Sequence, residues 1–341
     1  MGQYKAYIRA TGGYLPEKVV TNNDLAQIMD TSDEWIMQRS GISERRYADT
    51  GVYNSDLALK ATENLLQKNN INKDEIDCII YATLSPDIMF PGTGVFLQEK
   101  LGISGSHIPC FDIRQQCSGF IYGVQMAQVF IEGGMYKNVL VVGSELHSHA
   151  LDFSTRGRAV SVLFGDGAGV ALISRTTDSE KSCILHSEVY SDGSGAMNGI
   201  HCKLFDVSKK PIIPFDPNNF DENAEFFPDM PSPKNLFANA VRRMTETAKN
   251  SLEKLGLSVD KVDWLLPHQA NIRINSMVAK QLGIAQEKVL YNIMKLGNTT
   301  AGTIPLLLDE FVDNGTIKRG DILAMVGFGS GFTWGSVIVK Y

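Results

Sequence analysis

The strongest constraint on the fold is that the chain matches itself. Ile76-Asp77-Cys78-Ile79-Ile80 returns as Val262-Asp263-Trp264-Leu265-Leu266, Lys100-Leu101-Gly102-Ile103 as Gln281-Leu282-Gly283-Ile284, and Val139-Leu140-Val141-Val142 as Ile322-Leu323-Ala324-Met325. The matches keep their order, at offsets of 186, 181 and 183 residues. A self-match at a nearly constant interval is the mark of one supersecondary unit used twice. Cys78–Ala82, Val139–Val142, Val262–Leu266 and Ile322–Val326 are short apolar or β-branched runs and read as strands. Phe237, Val241, Met244, Ala248, Leu252 and Leu255 recur at three- and four-residue steps and read as an amphipathic helix. Strands alternating with helices imply an α/β protein. The 341 residues are close to two lengths of roughly 150 each. We therefore expect two pseudo-symmetric α/β halves, residues 1–175 and 176–341, with chemistry at their seam. Carried forward from the Leu-Gly-Ile pair, the 181 register places Cys117 on Asn298, two polar residues at helix starts.

Composition removes several classes of function. With 32 Lys+Arg against 38 Asp+Glu the net charge is -6, which lacks the basic footprint that a phosphate backbone requires, so no nucleic-acid partner is expected. A hydrophobic content of 43% and an aromatic content of 9% exclude a disordered chain. No apolar run approaches the roughly 18 residues of a membrane span, and the N-terminus has no apolar core of a secretion signal. Five cysteines without a C-x-x-C spacing argue against a disulfide framework or structural zinc and for a cytoplasmic protein. His147 and His149 form a pair on one strand face without a third ligand at suitable spacing, so no metal is expected. With His107, His186 and His201 they read as structural or surface residues.

Three segments carry candidate chemistry. Cys117 precedes a helical stretch running towards Ile131, and unpaired N–H groups at a helix start favour a thiolate, which predicts a lowered thiol pKa. Its neighbours Ser118 and Gly119 are small enough to admit a carbonyl; the bland alternative is a small core cysteine. His268, in Leu266-Pro267-His268-Gln269-Ala270-Asn271, follows a strand, where α/β proteins place functional groups. Asn298 lies in a loop, Gly297 to Pro305, that opens a helix, and capping that helix is its bland role.

A Cys, a His and an Asn at element ends, with three further motifs in order, resemble the β-ketoacyl-[acyl carrier protein] synthase III family of thiolase-like condensing enzymes over nearly the whole chain. The motifs are Trp35-Ile36-Met37-Gln38-Arg39-Ser40-Gly41-Ile42 with Arg45-Arg46, Phe164-Gly165-Asp166-Gly167-Ala168-Gly169, and Gly327-Phe328-Gly329-Ser330-Gly331-Phe332-Thr333-Trp334-Gly335. The last lacks the G-x-G-x-x-G spacing and the first-βα-turn position of a dinucleotide fingerprint. The resemblance implies a thiolase-like fold of five αβαβα layers, a homodimer, no cofactor, and decarboxylating condensation of an acyl-CoA primer with malonyl-acyl carrier protein. Cys117 is then the nucleophile, with His268 and Asn298 as donors to the enolate oxygen. The backbone N–H of Cys117, with Gly329 or Ser330, is the candidate oxyanion hole. An adjacent backbone donor, from Asn271 or the glycine loop, is expected to fix the His268 tautomer. Trp35, Arg39 and Arg158 fall at CoA-binding positions, and Phe90 at a position lining the acyl pocket across a dimer interface. Arg273 and Lys280, seven apart on one helix face, suit an acidic carrier.

Gln115, Gln116 and Ser118 stand where small apolar residues are frequent in the family, and the Pro- and Phe-rich stretch at about 201–233 is longer than in its simple members. A loop of this length is expected to border the acyl tunnel or CoA entrance. Two other readings stay open: a condensing enzyme of secondary metabolism with another primer or extender, and a non-catalytic acyl- or CoA-binding protein. A non-decarboxylating thiolase is disfavoured because the C-terminal glycine loop has no second cysteine.

Overall fold

A computed structural model of the chain describes residues 4–178, 182–202 and 227–341. Eleven strands are described: β1 (Lys5–Tyr14), β2 (Lys18–Thr21), β3 (Glu44–Tyr47), β4 (Cys78–Ala82), β5 (Cys110–Ile113), β6 (Asn138–Glu145), β7 (Gly167–Thr176), β8 (Cys183–Ser191), β9 (Trp264–Pro267), β10 (Ile322–Gly329) and β11 (Thr333–Lys340). The helices are α1 (Asn22–Ala26), α2 (Asp33–Ser40), α3 (Asn54–Lys68), α4 (Thr93–Lys100), α5 (Gly119–Glu132), α6 (Arg158–Ser161), α7 (Pro233–Lys254), α8 (Ile272–Leu282), α9 (Ile293–Leu296) and α10 (Thr303–Asp313).

Two sheets are built on one plan. The first has the order β1-β7-β6-β4-β5 and the second β8-β11-β10-β9. In each, the two strands at the start of the order pair antiparallel, the next pair is antiparallel, and the following pair is parallel. The counterpart of β5 is reduced to one parallel bridge, Leu265 to Val289. Helices α3 and α4 cover the outer face of the first sheet, α7 and α8 the outer face of the second, and α5 and α10 lie between them. The layers run α, β, α, β, α, the thiolase-like arrangement expected from the sequence.

Strands buried on both faces explain why the runs are continuously apolar rather than alternating. Cys78 and Ile80 of β4 and Leu323 and Met325 of β10 point into the central layer with Phe120, Leu307 and Leu308. Their chain neighbours Ile79 and Tyr81 face α3 and α4, and Ala324 and Val326 face α7 and α8. The two-residue period of a strand thus serves three cores, in which each fully buried Leu or Ile side chain contributes about 1.5–3 kcal/mol.

The self-match is corrected at the site itself. A single 3-10 turn leads into each central helix, Gln116–Ser118 before α5 and Thr300–Gly302 before α10. The first residue of each is a non-glycine in the left-handed region, Gln116 at φ 46 and Thr300 at φ 41. Cys117 therefore corresponds to Ala301, and Asn298 lies three residues earlier. The chain between Leu282 and that turn is three residues longer than its counterpart after Leu101.

Most of the expected 201–233 loop, residues 203–226, lies outside the described residues. At its described ends His201 and Asp229 exchange backbone hydrogen bonds. Among the described residues no helix is long and apolar enough to cross a membrane.

Candidate active site

Cys117, His268 and Asn298 reach one cavity of about 60 Å³ at the seam between the sheets. Gly329, Ser330 and Phe328 of the C-terminal loop close it on one side, and Ile200, with Leu236, Ala240 and Met244 of α7, lines another. Each chemical group arrives on a different element, so the cavity exists only in the folded seam.

Cys117 is half-buried in the turn that opens α5. Burial, helped by the charge of Glu145, pushes its thiol up to about 12, against the opposing pull of its own backbone N–H and the Asn298 side chain. The lowered pKa expected from the helix start is therefore corrected: desolvation outweighs the helix-end effect, and the resting sulfur is a thiol. Gly329 sits directly over the turn. A methyl group there would lie 3.0 Å from the Cys117 nitrogen and 3.3 Å from the Ser118 nitrogen; the Ser118 N–H already donates to the Gln115 carbonyl, so the Cys117 N–H is the donor that faces a carbonyl oxygen in that space. Ser118 is fully buried, and its hydroxyl lies 2.8 Å from Thr333 Oγ1, tying the turn to the glycine loop.

Pro267 ends β9, and His268 follows with its N–H donating to Val326 at 2.8 Å. Its ring is 4% exposed, and burial lowers its pKa to about 3, so the imidazole is neutral. Nδ1 lies 2.7 Å from Thr303 Oγ1, whereas Nε2 has no hydrogen-bond partner among the described residues. The backbone donor expected from Asn271 or the glycine loop is therefore corrected: the ring's partner is the Thr303 side-chain hydroxyl at the start of α10. Asn271 instead caps α8 through the Arg273 N–H and donates to the Arg39 carbonyl at 2.7 Å, linking the His268 loop to α2. Gln269, fully buried, donates to Pro267 and Leu290 and accepts from the backbone of Asn292 and Ile293, which holds the loop rigid.

Asn298 is 3% exposed. Its backbone pairs with Leu163 and Gly165 of the central glycine motif, and a Cβ on Gly165 would strike the Leu296 carbonyl at 2.3 Å. Asn298 Oδ1 accepts from the Thr300 N–H at 2.8 Å, so its amide NH2 is the end presented to the Cys117 thiol. Thr300 is held in turn by its hydroxyl, which donates to the buried carboxylate of Glu145 across the seam and contacts His147 Nε2. Asp166 of the same motif accepts from Ala48, His147 and Ser148 and is a structural carboxylate.

The remaining expected site residues are placed as follows. Trp35 has two guanidinium groups near its ring, Arg39 at 4.1 Å and Arg158 at 5.3 Å from the ring centroid, and Arg158 also pairs with Asp30. Arg273 and Lys280 are both exposed on one face of α8, with Met277 between them. Phe90 is 80% exposed, beside exposed Ile88 and Met89, and does not reach the cavity of its own chain. Sequence reasoning missed Thr303, Thr300, Glu145, Leu236 and Ala240, and it read Met244 only as part of an amphipathic helix. Among the described residues, no three His, Cys, Asp or Glu side chains are grouped to hold a metal.

Comparison with known proteins shows the family and the fold. The family model of 3-oxoacyl-[acyl-carrier-protein (ACP)] synthase III matches residues 111–193, and the model of its C-terminal part matches residues 252–341. The β-ketoacyl-[acyl-carrier-protein] synthase III of Clostridium acetobutylicum is 41% identical over 334 residues, covering 98% of each chain. The crystal structure of 3-oxoacyl-[acyl-carrier-protein] synthase III from Aquifex aeolicus VF5 superposes with a TM-score of 0.87 at 41% identity, covering 98% of this chain and 100% of that one. The priming β-ketosynthase of the R1128 polyketide pathway superposes at 0.85 with 26% identity, covering 98% and 96%.

Proposed function

Because the chain belongs to the β-ketoacyl-[acyl-carrier-protein] synthase III family, we propose that it joins an acyl-CoA primer to malonyl-acyl carrier protein through a thioester on Cys117. It is a condensing acyltransferase, and the reaction is the initiation step of fatty-acid synthesis. The observation that supports this assignment of residues best is the convergence of Cys117, His268 and Asn298 on one cavity from three separate elements.

In the first half-reaction the Cys117 sulfur attacks the thioester carbonyl of the primer and CoA leaves, splitting one difficult acyl transfer into two easier steps. The oxygen that becomes negative sits against the N–H of Cys117 beside Gly329, the space a methyl group there would fill. The buried thiol loses its proton as negative charge passes to the substrate, the unpartnered His268 Nε2 in the same cavity receives it, and CoA leaves as a thiolate that takes a proton from solvent. In the second half-reaction the malonyl thioester loses carbon dioxide and its enolate carbon attacks the acyl-Cys117 carbonyl. The Asn298 amide NH2 donates to the enolate oxygen. His268 is the second donor when it carries a proton, and the malonyl carboxylate entering a dry pocket is the counter-charge that favours protonation. When the new bond forms, the Cys117 thiolate takes that proton back and the cycle closes.

Trp35 with Arg39 and Arg158 suits the CoA nucleotide, an aromatic face for the base and guanidinium groups for phosphates. Arg273 and Lys280 form the dock for the acidic carrier. Phe90 acts in a homodimer, where its exposed ring fills part of the partner's acyl pocket. The halves 1–175 and 176–341 divide the labour, the first holding the nucleophile and the second the two donors. Ile200 at the edge of the long loop lines the cavity, which supports a place for that loop at the acyl tunnel or entrance. A role in polyketide priming is the second reading, favoured by the likeness to the R1128 enzyme. A condensation assay across acyl-CoA chain lengths, with malonyl-carrier set against malonyl-CoA, separates the two. Preference for short primers and the fatty-acid carrier supports initiation, and carbon dioxide release without a new carbon–carbon bond contradicts both.

A further inference from the structure

The hydrogen bonds around His268 determine where its proton resides. Thr303 Oγ1 lies 2.9 Å from the Thr300 carbonyl oxygen and 2.7 Å from His268 Nδ1. A carbonyl oxygen only accepts, so the single Thr303 hydroxyl hydrogen is directed to it. The reverse orientation would leave two oxygen lone pairs facing each other at that distance in a buried site. With its own hydrogen committed, Thr303 Oγ1 is an acceptor towards the ring, and Nδ1 must carry the imidazole proton. The other ring nitrogen, Nε2, is buried without a partner among the described residues, and His268 lines the cavity that holds Cys117.

We propose that Thr303 is a positioning residue that locks neutral His268 in the Nδ1–H tautomer, so that Nε2 meets the Cys117 thiol as a proton acceptor. This rests on the catalytic reading of Cys117 and His268 given above, and it adds a division of roles. In the resting enzyme Asn298 donates into the cavity; His268 accepts there, and becomes a donor only after it has gained a proton. The anchor of the lock is Thr300, whose carbonyl takes the Thr303 hydrogen and whose left-handed conformation is held by its own hydroxyl on Glu145. The lock therefore spans both halves, from β6 through the turn before α10 to the loop after β9.

Thr303→Val keeps the shape and removes the hydroxyl; Thr303→Ser keeps the hydroxyl. The tautomer is read directly by 15N NMR of histidine-labelled enzyme without substrate, with His268→Gln identifying the resonance. In the wild type and in Thr303→Ser, Nδ1 is expected to show the protonated, pyrrole-type shift and Nε2 the unprotonated one. In Thr303→Val the two are expected to mix or exchange. Acyl-enzyme formation from acyl-CoA in Thr303→Val is expected to fall roughly 10–100-fold, a loss smaller than that seen when a buried carboxylate is lost as the tautomer-holding partner of a catalytic histidine, with recovery in Thr303→Ser. A wild-type ring protonated on Nε2, or a Thr303→Val ring indistinguishable from wild type, overturns the proposal whether or not the enzyme is active. Loss of acylation in His268→Gln no greater than about twofold would instead overturn the role of His268, while the NMR result stands apart.

Discussion

Gly329→Ala tests the oxyanion assignment without touching a titratable group. The added methyl would sit 3.0 Å from the Cys117 nitrogen, 3.2 Å from Thr333 Oγ1 and 3.3 Å from the Ser118 nitrogen. A bound oxyanion belongs about 2.7–3.1 Å from its donors, so methyl and oxyanion compete for one volume. Gly329 is not in the left-handed region, so alanine imposes no backbone strain, and relaxation of a few tenths of an ångström costs about 1–3 kcal/mol of stability. Losing one oxyanion donor lowers the rate by about 10²–10³, or about 2.7–4 kcal/mol of barrier. Rapid-quench measurement of labelled acyl-enzyme formation reads this, with acyl-CoA affinity measured separately and expected to hold. Gly327→Ala is the control, since its methyl meets Ile121 and Ser118 only at 3.4 and 3.5 Å. A folded Gly329→Ala enzyme that acylates within about threefold of wild type would refute the placement of the oxyanion.

Further outcomes follow from the same geometry. Burial lowers the folded His268 pKa to about 3, below its usual value of about 6.5, so the neutral form stabilises the fold above that value and the contribution is lost as pH falls towards 3, by at most about 1.4 kcal/mol per pH unit. Denaturant titrations should show His268→Gln losing less stability than wild type between about pH 6 and pH 4; equal losses would contradict it. Because the Cys117 thiol is pushed up to about 12, the rate of its alkylation by iodoacetamide in the resting enzyme should keep rising with pH beyond pH 9, and a plateau near pH 8 would show a low-pKa thiolate instead. Trp35→Ala should raise the acyl-CoA KM by the equivalent of about 1–3 kcal/mol of lost base stacking, leaving condensation from preformed acyl-enzyme unchanged; an unchanged KM would remove Trp35 from the nucleotide site.

The framework was legible where burial leaves a continuous mark. Cys78–Ala82 and Ile322–Val326 are flanked by helices on both faces, so their strands write unbroken apolar runs, and two such runs recurring in order reveal the duplicated plan. The register at the nucleophile was not legible from the Leu-Gly-Ile pair, because that pair ends α4 and α8 and the two halves differ by three residues between it and the turn. Cys117, His268 and Asn298 stood out as chemically able residues at element ends. Their supports did not, since Thr303 reaches His268 from 35 positions away and Thr300 reaches Glu145 from 155. A threonine at a helix start reads as an ordinary polar residue until packing shows which ring it meets. The direction of the Cys117 pKa failed for a related reason: the helix end is a local feature, whereas the burial that pushes the thiol up exists only in the packed fold. Phe90 is 80% exposed and does not reach the cavity of its own chain, so one chain gives its role no contact to read.

The central claim is that acyl transfer passes through a thioester on Cys117 and leaves by condensation. Labelled acyl-CoA incubated with the enzyme, followed by intact-protein and peptide mass measurement, should show one acyl adduct mapped to Cys117 and none in Cys117→Ala. Adding malonyl-acyl carrier protein should discharge that adduct into β-ketoacyl-carrier with equimolar carbon dioxide. An adduct retained in Cys117→Ala, or one on Cys117 that malonyl-carrier leaves in place, would contradict the account.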